Sequence, residues 1–182
     1  AKFCKTSMIF KILNDSNICQ PLIAGGYGVI KALKINKKSV KGLQTSDIDL
    51  HLNVSEVDWN RNKNMYINLT RTISNAFIDY AKLDKGQIKV KKVKALDAKV
   101  VSGLLNVKPH FIYMVSYKNK ELLDIVITSE PKNQLDVKIL NETGLPVKTI
   151  EAYRLEMYSM LIRETVPGMN NIAYKMRHPV FG

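Results

Sequence analysis

Ser46-Asp47-Ile48-Asp49-Leu50-His51-Leu52-Asn53-Val54 decides how this chain is read. Ile48, Leu50, Leu52 and Val54 alternate with Asp47, Asp49, His51 and Asn53, the period of two that sends successive side chains to opposite faces of a β-strand. The apolar set predicts a strand laid against a core. The other set carries two carboxylates on one face, roughly 6.5 Å apart along a strand that rises ~3.3 Å per residue.

Upstream, Leu22-Ile23-Ala24 reads as a short apolar strand running straight into Gly25-Gly26-Tyr27-Gly28, with Gly28 adding flexibility, then one or two helical turns over Val29 to Leu33. A lysine-rich loop follows from Lys34 to Gln44, and Ser7 to Asp15 reads as the end of an amphipathic helix. Downstream, Met65, Leu69, Ile73, Phe77 and Tyr80 recur at helical spacing, which predicts a long helix from about Trp59 to Leu83. Asp84-Lys85-Gly86 then closes it, with glycine in the usual C-terminal position.

Gln87 to Asn106 is strand-like and strongly basic, with its registers open. His110 to Tyr117 is a strand, Lys118-Asn119-Lys120 a tight connection, and Leu122 to Thr128 the returning arm of a hairpin. Leu135 to Leu140 suits an edge strand, Gly144 and Pro146 punctuate the chain, and Thr149 to Arg163 is helical again. There is no internal repeat. Long helices among short strands, with a late hairpin, predict an α/β (α+β) fold with a mixed β-sheet flanked by helices. The expected division is a catalytic domain over 1–145 and the incomplete start of a helical region over 146–182.

The bulk composition bounds the function. The chain has 182 residues, 46% of them hydrophobic, enough for a real core. No apolar run approaches the ~20 residues that span a bilayer, and no signal-peptide pattern opens the chain. Cys4 and Cys19 make neither a metal-type spacing nor a disulfide framework, which points to a reducing, cytoplasmic setting. The chain begins at alanine and stops just after Pro179-Val180-Phe181, as a piece of a longer protein would. Net charge is +12, with lysines clustered from Lys82 to Lys99. Such a balance suits a polyanionic partner, and lysine binds phosphate without reading sequence. The plainer reading is a solvated lysine-rich surface.

Three pieces carry chemistry. Asp47-Ile48-Asp49 places two carboxylates where an oxygen-loving cation such as Mg²⁺ would relieve their repulsion. On an exposed strand face the same pair is simply solvated. Asp124 lies within Leu122-Leu123-Asp124-Ile125-Val126-Ile127, where an ionised carboxylate is expensive unless a metal or cation holds it. Backbone N–H groups or a lysine would serve equally. Gly25-Gly26, between an apolar strand and a helix, lets backbone approach a phosphate at a helix N-terminus, or makes an ordinary tight turn. It is no Walker A loop, since no Gly-Lys-Ser/Thr follows, and the dinucleotide fingerprint fails at Ile30.

In order, Leu22-Ile23-Ala24-Gly25-Gly26, Thr45-Ser46-Asp47-Ile48-Asp49-Leu50 and Leu123-Asp124-Ile125 resemble the nucleotidyltransferase superfamily that includes DNA polymerase beta. The resemblance runs from about Pro21 to Thr128. Gly25-Gly26 stands where many members have Gly-Ser, and the 20 residues between Gly26 and Asp47 make a longer connection than many have. Both features, with Gly144-Leu145-Pro146-Val147-Lys148-Thr149-Ile150-Glu151, look like the poly(A) polymerase catalytic subunits of large DNA viruses.

The resemblance implies that Gly25 and Gly26 position an incoming triphosphate. It also implies that Asp47, Asp49 and Asp124 are catalytic and bind two Mg²⁺ (or Mn²⁺) ions. It further implies ATP as substrate, an RNA 3′ end as acceptor, and a homodimer or processivity subunit as further partner. A viral member would also reach the virion. Lys31, Lys34 and the lysines after Lys85 are candidate phosphate or RNA contacts, Tyr27 and Tyr117 candidate stacking groups, and His51 a structural neighbour of the acids. Two alternatives stand beside poly(A) synthesis. One is another nucleotidyltransferase acting on tRNA, protein or a small molecule. The other is a non-catalytic RNA-binding protein on the same fold.

Overall fold

A computed structural model describes residues 20–43, 47–94, 108–129, 137–140 and 145–154. The segments 7–15, 95–106 and 155–163, expected to be helical, basic and strand-like, and helical, lie outside the described residues. So do residues 135 and 136 of the expected edge strand.

The alternation in β2 (Ile48–Asn53) does what it predicts. Ile48, Leu50 and Leu52 are fully buried, and the intervening residues are half-buried. β2 lies antiparallel to β1 (Gln20–Ala24) and parallel to β5 (Lys120–Ser129). β5 returns antiparallel from β4 (Lys108–Tyr117), which pairs with β3 (Ile88–Lys94). On the far side β1 runs parallel to β7 (Leu145–Lys148), which pairs with β6 (Val137–Leu140). The seven described strands form one mixed sheet in the order β3-β4-β5-β2-β1-β7-β6. Leu135 to Leu140 is thus an edge strand over its described part. Pro146 does not end the sheet but sits in β7, so the sheet continues three residues past position 145. Pro146 pairs with Ile139 of β6, and it is Val147 that meets Ile23 of β1.

α1 (Gly25–Ile35) and α2 (Glu56–Tyr80) pack on one face of this sheet. Tyr27, Val29 and Ala32 of α1 share one buried cluster with Ile23, Leu50 and Val147; Trp59, Tyr66, Leu69, Ile73 and Phe77 of α2 continue the same core. α2 starts where Ser55 accepts a hydrogen bond from the Asp58 N–H, with Glu56 and Asp58 favourably placed against the helix dipole. A kink at Asn62 interrupts it. Met65 and Tyr80, expected on the buried stripe, are exposed. Tyr66 and Ile78 are buried instead, one residue and two residues away: Tyr66 at helical spacing from Leu69 and Ile73, Ile78 one turn beyond the buried Ser74.

The expected glycine stop at Gly86 is corrected too. α2 ends at Tyr80, and Lys82 takes the left-handed conformation (φ 52) that glycine usually supplies. Leu83 N–H then reaches back to the Ile78 carbonyl, and Leu83 packs against the core. Gly86 belongs to the following 3₁₀ turn, Lys85–Gln87. Between β4 and β5 both Lys118 (φ 51) and Asn119 (φ 62) have positive φ, the pattern of a two-residue type I′ hairpin.

Phe77 is about 1% exposed at the centre of this core. Phe77→Ala is expected to cost about 3–5 kcal/mol in urea denaturation. Val57→Ala, at 57% exposure on the same helix, should stay within about 0.5 kcal/mol.

Candidate active site

The parallel register of β2 and β5 sets the site. Ile48–Leu123, Leu50–Ile125 and Leu52–Ile127 pair on the core face; Asp49–Asp124 and His51–Val126 pair on the other. Asp49 and Asp124 therefore lie directly opposite each other, hydrogen-bonded side chain to side chain. Asp47 stands just before β2.

A fourth acid, which the sequence reading overlooked, joins them. By simple alternation Glu121 would share the core face of Leu123. But β5 pairs Val115 with Leu123 and then Ser116 with Glu121, so Leu122 is an extra residue. Such a bulge re-aims the side chains beyond it, and Glu121 turns toward the acids. Carboxylate oxygens of Asp47, Glu121 and Asp124 all lie within 4.8 Å of one another. Asp49 is not in that trio but abuts it through Asp124. The bulge was not legible in sequence; the only signal was a glutamate three residues before Asp124.

Gly25 makes room for this corner. Its φ is 62, and a Cβ there would collide with Asp49 Oδ2 and stand 2.8 Å from Asp49 Cγ. The residue before α1 is Ala24, whose side chain offers no cap. Gly25 and Gly26 are thus the first turn of α1, not a loop ahead of a helix beginning near Val29. The first N–H groups of α1 and the positive end of its dipole lie beside the Asp49 carboxylate, an arrangement that favours anions. Gly28 is not a flexible joint. It is buried in α1, where a Cβ would meet the Tyr153 hydroxyl and the Ile23 carbonyl, themselves hydrogen-bonded at 2.9 Å.

Burial first, then the charges of Asp47, Asp124 and Glu121 and the bond to Asp124, push Asp49 from an ordinary 3.8 up to about 8. Burial and the charges of Glu121 and Asp47 push Asp124 up to about 6, against the bond from Asp49, which lowers it. Asp49 thus holds the proton and donates it to Asp124. Asp124 Oδ1 is buried with no hydrogen-bond partner. An orphaned carboxylate oxygen among other carboxylate oxygens is the donor set a hard divalent cation takes, so the residues present fit such an ion.

The other candidates divide. His51 is pushed down to about 4 by burial and the Lys148 charge, so it is neutral and stays a structural neighbour. Tyr27 is buried in the core, and Lys31 is buried with its Nζ over the Tyr27 ring, which removes both from an exposed track. Lys34 remains exposed. Tyr117 is half-buried under Lys118.

The mixed sheet, with α1 and α2 on its core face and the acids on the other, is the α/β (α+β) architecture that the sequence predicts. The crystal structure of the Megavirus polyadenylate synthase is similar to it, with TM-score 0.51 and 11% identity over 87% of this chain. This chain spans 29% of that one, and at such identity the likeness is one of fold. No family model and no curated protein matches the sequence. None of the helices described is long and apolar enough to cross a membrane.

Two outcomes follow from the corner. Asp49 and Asp124 hold protons when folded that they lose on unfolding above pH ~4, so they make stability fall with rising pH, up to about 8 and 6 respectively. His51 gains a proton on unfolding below 6.5, so it makes stability rise from about 4 to 6.5. Between 6.5 and 8 Asp49 acts without the other two. Without divalent cation the urea midpoint should therefore fall across that window, and Asp49→Asn should flatten it. A flat native curve would contradict the buried, protonated Asp49. Separately, Gly25→Ala should weaken Mg²⁺ binding by calorimetry about 10–100-fold, as a lost support for a ligand does. Gly42→Ala has φ 81 but open space around its Cβ. It should lower stability by about 1–2 kcal/mol and leave Mg²⁺ binding unchanged.

Proposed function

We propose that this chain is a metal-dependent, template-independent RNA nucleotidyltransferase that adds AMP from ATP to RNA 3′ ends. One observation carries the reading: Asp47, Glu121 and Asp124 converge within 4.8 Å, with Asp124 Oδ1 buried and unpartnered. The likeness in fold to a polyadenylate synthase and the net charge of +12 support it. Asp47, Asp49 and Asp124 are assigned as metal-binding and catalytic residues, joined by Glu121.

Divalent cations bound there would supply Lewis-acid stabilisation of the attacking and leaving oxygens. The chain's own part is to position. Gly25 and Gly26 let the triphosphate approach the α1 N–H groups, whose dipole favours its charge. Asp124 faces the acceptor's 3′-hydroxyl and takes its proton as the oxygen bonds to the α-phosphorus and pyrophosphate leaves. Asp49 holds Asp124 in place across the strand pair. The same reading carries with it cytoplasmic or virion residence and a homodimer or processivity subunit.

The test incubates the protein with an RNA primer, Mg²⁺ or Mn²⁺, and each NTP separately. ATP-selective extension is expected. Asp47→Ala or Asp124→Ala should lower it roughly 10³-fold, the several kcal/mol a metal site supplies at ~1.4 kcal/mol per decade. Extension with another NTP, or of tRNA alone, would favour a different transferase. RNA binding with no extension by any NTP would favour a non-catalytic RNA-binding protein.

A further inference from the structure

The carboxylate corner lies two strands in from a strongly basic edge. β3, Ile88-Lys89-Val90-Lys91-Lys92-Val93-Lys94, ends the strand order. Its four lysines are all exposed, and the register divides them between faces. Lys91 pairs with Met114, Met114 with Asp124, and Asp124 with Asp49, so these four make one cross-strand row on the acid face. Lys89 pairs with Ser116 on that same face. Lys92 and Lys94 pair with Tyr113 and Phe111, both buried in the core beneath the helices, and so stand on the opposite face.

At ~4.8 Å per strand, Lys91 lies about 10 Å from Asp124 across the sheet, and Lys89 about 6.6 Å farther along β3. That separation lets each lysine serve a different phosphate. Between them and Asp124, β4 offers Met114 and Ser116, half-buried and uncharged. Lys89 Nζ is steadied by Asn119 Oδ1 at 3.0 Å, a neutral partner that leaves its charge uncompensated.

We propose that Lys89 and Lys91 hold the phosphate backbone of single-stranded RNA as its 3′ end enters the carboxylate corner. The inference rests on the transferase reading above and deepens it. Edge strands also carry lysines simply to block pairing with other chains, but that role treats both faces of β3 alike. An RNA track on the acid face does not.

The comparison is therefore Lys89→Ser/Lys91→Ser against Lys92→Ser/Lys94→Ser. Binding of a short fluorescein-labelled oligo(A) is followed by anisotropy in EDTA, without nucleotide, across a salt series. Circular dichroism confirms that both variants fold. The acid-face pair should weaken binding about tenfold and lower the salt slope by about 1.4, two phosphates at ~0.7 each. The opposite-face pair should change affinity by no more than about twofold. With Mg²⁺ and ATP, the acid-face pair should raise KM for RNA and leave KM for ATP unchanged. Equal losses in both variants, or none in the acid-face pair, overturn the proposal. RNA binding through this face without primer extension would sink the transferase reading while leaving the face assignment standing.

Discussion

Like charges crowded on one sheet face are the constraint to which the rest of this structure is fitted. Asp49 and Asp124 meet across a parallel strand pair, and Asp47 and Glu121 close on them. Repulsion and burial would each drive such groups apart or neutralise them. The fold accepts the cost locally. Gly25 gives up its side chain so that the Asp49 carboxylate fits. The bulge at Leu122 turns Glu121 away from the core face and toward the acids. Both described long helices lie on the opposite face, so their apolar stripes never meet the acids.

Structural service alone does not account for this corner. A buried Asp kept for stability is satisfied by donors, and Asp124 Oδ1 has none among the described residues. Unpaired buried polar groups persist where a function uses them. Four carboxylates also match two divalent ions in charge, which fits the two-metal reading proposed above. The ions' own charge would then cancel the carboxylates' field, so that a site that repels phosphate no longer does so and the α1 N-terminus is left to attract it.

The sequence made the central strand legible because one face of β2 is wholly buried, and a one-residue slip would have exposed all of it. Asp47 and Asp49 could be named because the alternation puts them together on the other face, Asp124 because it interrupts an apolar run, and Gly25 and Gly26 because they end one. What stayed hidden depends on partners far along the chain. Glu121 needed the bulge against β4, and β7 needed β1 to pair with, since Pro146 reads locally as punctuation. The end of α2 was misplaced because a lysine, not a glycine, adopts the left-handed turn. Gly28 looked like flexibility and is a packing contact, since Tyr153 lies 125 residues away in sequence.

The charge of the whole chain now has a geography. A net +12 says only that a polyanion is welcome, and a lysine-rich surface alone would place it nowhere. The register does the placing, because β3 sets Lys89 and Lys91 in rows that end at the acids, and Lys92 and Lys94 behind the sheet. A polymer drawn to the first pair would have its end directed across β4 toward Asp124. A polymer drawn to the second would be held away from it by the thickness of the sheet. Affinity spread over both faces and affinity polarised to one are physically different molecules. Only the polarised one turns a basic chain with an acidic corner into a machine for working on the end of an RNA.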